Sequence, residues 1–123
     1  MDIKETAQKI YQNNVNHGFW EEDQKNVAQK LMLVVSELSE AMEADRANKR
    51  TDPDVNQYLY FDGEEGFKHR FEFAVKNTFE DEIADAVIRL FDISIGYGFD
   101  LEWHIEQKMK YNAMREFKHG KKY

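Results

Sequence analysis

The sequence predicts an all-α fold, specifically a four-helix bundle-like domain. Apolar residues recur at intervals of three and four along most of the chain, which is the spacing of one face of an α-helix. The chain has only one proline and six glycines, so long helices are available to it. Because no convincing pair of strands accompanies these helices, and 123 residues suit one domain, we expect a single domain spanning residues 1–123.

The first two helices are predicted from rows of apolar residues. Ile3, Ala7 and Ile10 place the first helix over residues 3–15, before a polar, glycine-containing segment. The second helix, from about residue 22 to residue 47, is indicated by a row with alternating steps of three and four: Ala28, Leu31, Val35, Leu38 and Met42. Pro53 disfavours helix in the residue before it, so this helix ends ahead of the proline.

Residues 54–77 are predicted to form an irregular, aromatic-rich loop. Six aromatic side chains fall in this segment, whereas Gly63 and Gly66 interrupt any long element. Phe71, Phe73 and Val75 alternate as they would in a short strand. We therefore expect an ordered connection with little regular structure between the second and third helices.

The last two helices are predicted from their end signals. Thr78 followed by Asp81 resembles a capping box and begins the third helix, which should end near Ile95, before two closely spaced glycines. Asp100 is a suitable N-cap for the fourth helix, whose inner side is predicted to include Leu101, Ile105 and Met109 and which fades near residue 117.

Composition excludes several classes of protein. The chain has no cysteine, which excludes a disulfide scaffold, a thiolate zinc site and a cysteine nucleophile. The N-terminal residues carry charges and lack the apolar segment of a signal peptide, and no apolar run reaches about 18 residues. We therefore expect a cytoplasmic protein that does not interact with membranes.

The net charge of -7 is unevenly distributed. Six basic residues against one acidic residue give residues 108–123 a charge of +5, which leaves -12 for the rest of the chain. An acidic body repels duplex phosphates, so nucleic-acid binding is not expected. A small polyanion would suit both the acidic body and the basic tail. A metal ion would link it to the acids, and the tail would bind it through Lys121. The alternative is a solvated acidic surface with a frayed basic end.

Two pairs of acids on predicted helices are candidates for a metal site. Glu37 and Glu40 lie three residues apart on the second helix, near the edge of its apolar stripe, and Glu82 with Asp85 repeats this spacing on the third. If these helices pack antiparallel, four carboxylates converge, and Mg²⁺ prefers such oxygen ligands. The alternative is an ordinary solvated helix face, because Arg89 and Asp92 continue the row of Glu82 and Asp85.

Other residues are candidates for substrate binding. Lys108, Asn112 and Arg115 share one face of the fourth helix and could bind phosphate or ribose oxygens. Basic residues also favour helix C-termini for electrostatic reasons alone. Trp20 could stack on a base, although a tryptophan just before a helix is more often a core residue or a hydrophobic staple.

The order of these motifs resembles the MazG-like nucleotide pyrophosphohydrolases of phage and bacterial type. The resembling segments are LMLVVSELSEA at residues 31–41, FEDEIAD at residues 79–85, the set of Lys108, Asn112 and Arg115, and the tail at residues 119–122. The family pattern is Glu-Glu-x-x-Glu, then Glu-x-x-Asp. Ser36 departs from it, because it stands where the first glutamate is expected.

The resemblance implies an activity and a cofactor. Members of the family are all-α enzymes that split nucleoside triphosphates into a nucleoside monophosphate and pyrophosphate. Glu37, Glu40, Glu82 and Asp85 match their Mg²⁺ ligands, and Mn²⁺ is the expected substitute ion. We assign Glu37 the further role of orienting the attacking water. The resemblance also implies a homodimer or homotetramer.

The sequence leaves two alternative functions open. Ser36 motivates the first, which is a helical interaction module that kept the fold and lost the activity. The second is a different metal-dependent phosphohydrolase, acting on dinucleotides or other pyrophosphate-containing metabolites. Release of pyrophosphate rather than orthophosphate would distinguish the main prediction from this second alternative.

Overall fold

A computed structural model of the chain describes residues 1–21, 26–115 and 121–122, and the regular structure in these ranges is entirely helical. The elements are α1 (Ile3–Asn16), α2 (Val27–Arg46), a short 3-10 turn (Val55–Gln57), α3 (Gly63–Ala74), α4 (Phe79–Gly96) and α5 (Leu101–Ala113). The predicted all-α fold is confirmed. Within the described ranges, none of these helices is both long and apolar enough to cross a bilayer.

The chain divides into two compact units. The first unit consists of Met1–Gln24 and Phe91–Tyr123, and in it α1 packs against α5. The second unit, Lys25–Leu90, contains α2, α3 and most of α4. All four predicted metal ligands belong to the second unit, whereas Trp20 and the basic residues of α5 belong to the first.

The predicted helix starts are supported by cap hydrogen bonds. The Asp100 side chain accepts from the backbone N–H of Trp103 at 3.0 Å, as expected of the N-cap of α5. At the start of α4, Thr78 Oγ1 accepts from the Asp81 N–H at 3.3 Å, while the Asp81 carboxylate accepts from the Asn77 N–H at 2.9 Å. The predicted beginning of the second helix near residue 22 and the predicted end of the last helix near residue 117 lie outside the described residues.

The prediction of an irregular loop over residues 54–77 was wrong, because this segment contains the 3-10 turn and the twelve-residue helix α3. The described chain therefore has five α-helices rather than four. The glycines do not interrupt α3. Gly63 lies at its first position with a positive φ of 69°, and at Gly66 a Cβ atom would lie 2.1 Å from the Phe61 carbonyl oxygen, so only glycine allows this close approach. Phe71 packs on a small core of Val55, Leu59 and Ala74.

The apolar row that predicted the second helix is not its buried face. Leu31, Val35, Leu38 and Met42 are each about half exposed, and Ala28 is exposed as well. The buried residues of α2 are Val34, Glu37, Ala41 and Ala44. A similar difference occurs in α5, where Leu101 and Ile105 are half-buried but Met109 is exposed. Glu37 therefore lies in the middle of the buried face of α2 rather than near the edge of an apolar stripe.

Candidate metal centre

Two contacts establish the direction of packing between α2 and α4. Arg89 Nε donates a hydrogen bond to Glu37 Oε1 at 2.8 Å. Towards the other end, the Phe79 N–H donates to the Lys49 carbonyl oxygen at 3.0 Å, just beyond α2. Residue numbers therefore rise along α2 as they fall along the facing part of α4, and the two segments are antiparallel, which is the condition under which the two acid pairs can converge.

This packing gathers three glutamates. Glu37 and Glu40 of α2 and Glu82 of α4 each place a carboxylate oxygen within 4.8 Å of the others. Glu37 is 8% exposed and Glu82 is 4% exposed, whereas Glu40 is exposed. The three-glutamate cluster is therefore buried on one side and reaches solvent through Glu40.

A second acidic group shares one member with the first. Asp81, Glu82 and Asp85 also place carboxylate oxygens within 4.8 Å of one another, and Asp81 and Asp85 are half-buried. The four predicted ligands are thus connected through Glu82, and Asp85 lies with Asp81 rather than in the three-glutamate cluster. From the sequence, Asp81 was predicted only as part of the helix cap. Its position one residue before Glu82 and one helical turn before Asp85 was the signal for a second role.

Glu82 is the most unusual carboxyl group in this region. Its Oε2 atom is buried and has no hydrogen-bond partner among the residues that the structure describes. Burial, followed by the adjacent carboxyl groups of Glu37 and Glu40, raises the pKa of Glu82 to about 7. Buried polar atoms in folded proteins normally have a partner, and an orphaned one indicates a bound ion or a functional role.

The pKa of Glu37 is shifted in the opposite direction to that of Glu82. Burial alone would raise its pKa, but the hydrogen bond and positive charge of Arg89, together with hydrogen bonds from the carboxyl groups of Glu82 and Glu40, lower the pKa below its usual value. The guanidinium of Arg89 therefore keeps Glu37 ionised beside Glu82. Arg89 was not among the predicted site residues, because the sequence alone does not reveal which face of α4 meets α2.

The residues present fit a hard divalent cation. The donor set consists of carboxylate oxygens, which Mg²⁺ prefers, and one of them is buried without a donor of its own. The pKa of Asp85 is also raised, by burial first and then by Asp81 and Glu37, with partial compensation from Arg89. A cation bound here would relieve this repulsion between carboxylates.

The hydroxyl of Ser36 forms its hydrogen bond within α2. The residue is exposed, and its hydroxyl donates to the carbonyl oxygen of Leu33 at 2.7 Å. Glu37, Glu40 and Glu82 come together even though a serine stands at the first position of the glutamate motif.

Trp20 occupies the core of the first unit. It is 5% exposed, and its Nε1–H donates to both carboxylate oxygens of Asp92, at 3.0 and 3.1 Å. The ring packs against Tyr11 and Tyr97, and at Gly96 a Cβ atom would lie 2.2 Å from it. The structure thus favours the core role for Trp20 over stacking on a substrate base.

The other predicted substrate residues lie on or after α5. Lys108 and Asn112 line one open surface cavity, and the charged ends of Lys108 and Arg115 lie 5.3 and 5.6 Å from the centre of the Tyr111 ring. The structure therefore places Lys108 and Arg115 beside one aromatic side chain of the first unit, and Lys108 and Asn112 along one cavity. Lys121 is exposed.

Comparison of the chain with protein-family models, with curated proteins and with solved structures finds no match. The resemblance to the MazG-like enzymes therefore rests on the residues of the chain itself. It stays a prediction, as do the cytoplasmic location and the exclusion of nucleic acid as a partner.

Proposed function

We propose that the protein hydrolyses a standard or modified (deoxy)nucleoside triphosphate to the nucleoside monophosphate and pyrophosphate in a Mg²⁺-dependent reaction. The observation that carries this proposal is the buried Oε2 atom of Glu82, which lacks a hydrogen-bond partner in the described part of the chain while its neighbours are acids. A buried carboxylate whose neighbours are also acids is costly unless a proton or a cation neutralises it. A cation site explains why the fold retains this group.

The proposed roles follow from the surroundings of each carboxyl group. Glu37, Glu40, Glu82 and Asp85 hold the cation, which when bound neutralises phosphate charge and activates water. Asp81 is added to this set because it shares the second acidic group with Glu82 and Asp85. Mn²⁺ has similar oxygen preferences and is the expected substitute.

Glu37 is the proposed water-orienting residue. Arg89 binds its Oε1 atom and helps to keep the carboxylate ionised, and an ionised carboxylate can accept a hydrogen bond from water. The water oxygen then bonds to the α-phosphorus, and its proton passes to Glu37. The bond between the α-phosphorus and the oxygen that bridges to the β-phosphorus breaks, and pyrophosphate leaves with the electron pair.

Lys108, Asn112, Arg115 and Lys121 are proposed to bind phosphate or sugar oxygens of the substrate. Ammonium and guanidinium groups are the usual partners of phosphate, and an amide can donate or accept. Trp20 is withdrawn from this set, because its buried ring and its bonds to Asp92 support a core role.

A second copy of the chain is proposed to cover the exposed apolar row of α2. Leu31, Val35, Leu38 and Met42 form a continuous half-exposed stripe, which is unusual for a surface in contact with water alone. Size-exclusion chromatography with light scattering should therefore give a dimer or tetramer. A single species at the monomer mass of 14.7 kDa would contradict the oligomer.

The activity is tested with a panel of nucleoside triphosphates incubated with the protein and Mg²⁺, with chromatographic identification of products. Monophosphate and pyrophosphate that form with Mg²⁺, and not with EDTA, are the expected result. Stepwise release of orthophosphate would support a different phosphohydrolase. A folded protein that neither turns over any nucleotide nor binds Mg²⁺ would support a non-catalytic interaction module.

A further inference from the structure

Two cavities of the second unit flank the acids of α4. The smaller, with a volume of about 390 Å³, is lined by Glu40, Lys49, Asn77 and Glu82 among others, and we call it the Lys49 cavity. The larger, about 670 Å³, lies between α3 and α4, and its lining includes Phe67, Phe71, Asn77, Asp81 and Asp85. We call it the α3 groove. Both volumes fall in the range of about 300–1,000 Å³ that is usual for ligand pockets.

The two cavities meet at the candidate metal centre. Asn77, whose backbone has a positive φ of 65°, lines both of them. Glu82 faces the Lys49 cavity, while Asp81 and Asp85 face the α3 groove, and these three acids form one group within 4.8 Å. A ligand that extends from one cavity into the other therefore passes the carboxylates that are proposed to hold the cation.

The Lys49 cavity has the chemistry for phosphate. The ammonium group of Lys49 forms no ion pair with any acid in residues 1–21, 26–115 or 121–122, so it is available to a ligand. Glu40, Glu43 and Glu82 also line this cavity, so a polyanion enters it favourably only together with a cation. Lysine binds phosphate as a point charge.

The α3 groove has the chemistry for a nucleoside. Phe67 and Phe71 lie one helical turn apart with ring centroids 5.8 Å from each other, and Phe67 remains 36% exposed. Bases stack on such aromatic rings without strict sequence preference. The acids that line the groove outnumber its two lysines, Lys68 and Lys76, so an uncharged base suits it better than a phosphate chain.

We propose that these cavities hold opposite ends of the substrate, with the base on Phe67 in the α3 groove and the β- and γ-phosphates at Lys49. The α-phosphate then lies beside Glu82 and Asp85, with Asn77 at the junction. This inference rests on the proposed function and specifies how the substrate is oriented across the two cavities. The nucleoside monophosphate is held on the side of α3, and pyrophosphate is held on the side of Lys49.

The two products test this direction separately. Calorimetry with Mg²⁺ present would measure the binding of pyrophosphate and of a set of nucleoside monophosphates to the wild type, Lys49→Gln and Phe67→Leu. We expect Lys49→Gln to weaken pyrophosphate binding about 10-fold and to leave monophosphate binding unchanged. Phe67→Leu should weaken monophosphate binding about 10-fold and leave pyrophosphate binding unchanged.

Matched variants control for nonspecific effects. Lys9→Gln removes an exposed lysine of α1, and Phe73→Leu removes a ring of α3 that is 87% exposed and does not line the α3 groove. Both should bind the two products as the wild type does. Phe67→Tyr keeps a ring in place and should also bind monophosphate normally, while thermal melts confirm that each variant is folded.

The outcomes separate this inference from the proposed function. Variants that weaken both products equally, or neither, would overturn the substrate direction, as would a wild type that binds neither product. If the wild type still converts triphosphate to monophosphate and pyrophosphate in these cases, the proposed function stands. If the predicted pattern of product binding appears without any turnover, the cavities are assigned correctly and the hydrolytic function fails.

Discussion

Two buried carboxyl groups of helix α4 differ in what surrounds them. Asp92 is 8% exposed and accepts two hydrogen bonds from the indole N–H of Trp20. Glu82 is 4% exposed, its Oε2 has no partner among the described residues, and its nearest charged neighbours are acids. A buried acid with a matched donor stabilises a core, whereas one surrounded by other acids indicates a site for a ligand.

The acidic surroundings of Glu82 change its ionisation. Burial and neighbouring acids raise its pKa to about 7, so near neutral pH the metal-free protein holds a proton that a cation can replace. The Trp20–Asp92 pair needs no such partner. Substitutions at the two positions should therefore separate effects on activity from effects on folding.

The largest expected effect is the loss of hydrolysis in Glu82→Gln. Even an outer partner of a metal ligand typically contributes 10- to 100-fold, so removal of a ligand should lower kcat/KM by about 100-fold or more. Asp92→Asn keeps an acceptor for Trp20 and should retain kcat/KM within about 3-fold. Steady-state rates of pyrophosphate release measure both, with the exposed Glu106→Gln as a control. Equal losses in Glu82→Gln and Asp92→Asn would remove the distinction between the two carboxyl groups.

The second largest effect is expected on the stability of the fold, through the carboxyl group of Asp92. Trp20→Phe removes the indole N–H and leaves the buried Asp92 without this donor, which should lower the free energy of unfolding by about 3 kcal/mol. Trp103→Phe alters a tryptophan that is 53% exposed and should change it by less than about 0.5 kcal/mol. Urea denaturation measures both variants. Equal stability of the two would show that the Trp20–Asp92 contact contributes little.

A smaller effect is expected in the pH dependence of stability. The pKa of Glu82 is higher in the folded state, about 7, than its ordinary value of 4.5, so the folded protein keeps a proton that the unfolded chain releases. This contribution to stability is fully present below about pH 4.5 and is lost as the pH rises towards 7. The difference in Tm between wild type and Glu82→Gln, measured without metal, should therefore change across this window. Saturating Mg²⁺ should restore stability above it, and a constant difference would contradict the raised pKa.

The smallest effect is expected at Arg89. Arg89→Met removes a positive charge next to the three-glutamate cluster, and with it the hydrogen bond to Glu37. The metal-free protein should lose stability, whereas Mg²⁺ affinity should rise by about 5-fold because a competing cation is gone. Arg46→Met, which removes an exposed ion pair with Glu43, serves as the matched control for titration calorimetry. Weaker Mg²⁺ binding in Arg89→Met would mean that Arg89 mainly positions Glu37.

Local patterns in the sequence predicted part of this site. The spacing of Glu37 with Glu40, and of Glu82 with Asp85, places each pair on one helix face, and the two helices pack antiparallel, which is the condition that the sequence left open. The roles of Asp81 and Arg89 were not predicted. Which row of a helix is buried depends on the partner helix, and α2 presents its alanines and Glu37 to its neighbours rather than its larger apolar residues.

The helix α3 was not predicted, because its two glycines resemble a loop signal. Phe67 and Phe71 lie one helical turn apart, yet Gly63 and Gly66 led to the prediction of a loop. Gly63 lies at the first helical position, and Gly66 accommodates the Phe61 carbonyl oxygen, which is a tertiary contact that no local pattern reveals. The groove beside this helix could not be predicted, because it depends on that packing.

The proposed metal centre at Glu82 is tested most directly by a Mn²⁺ titration followed by electron paramagnetic resonance, on wild type, Glu82→Gln and Asp92→Asn. Mn²⁺ replaces Mg²⁺ at oxygen sites, and the signal of the free ion decreases when it binds. We expect the wild type and Asp92→Asn to bind Mn²⁺ alike and Glu82→Gln to bind it at least about 10-fold more weakly. Equal binding by all three proteins would contradict the assignment of Glu82 to a metal centre.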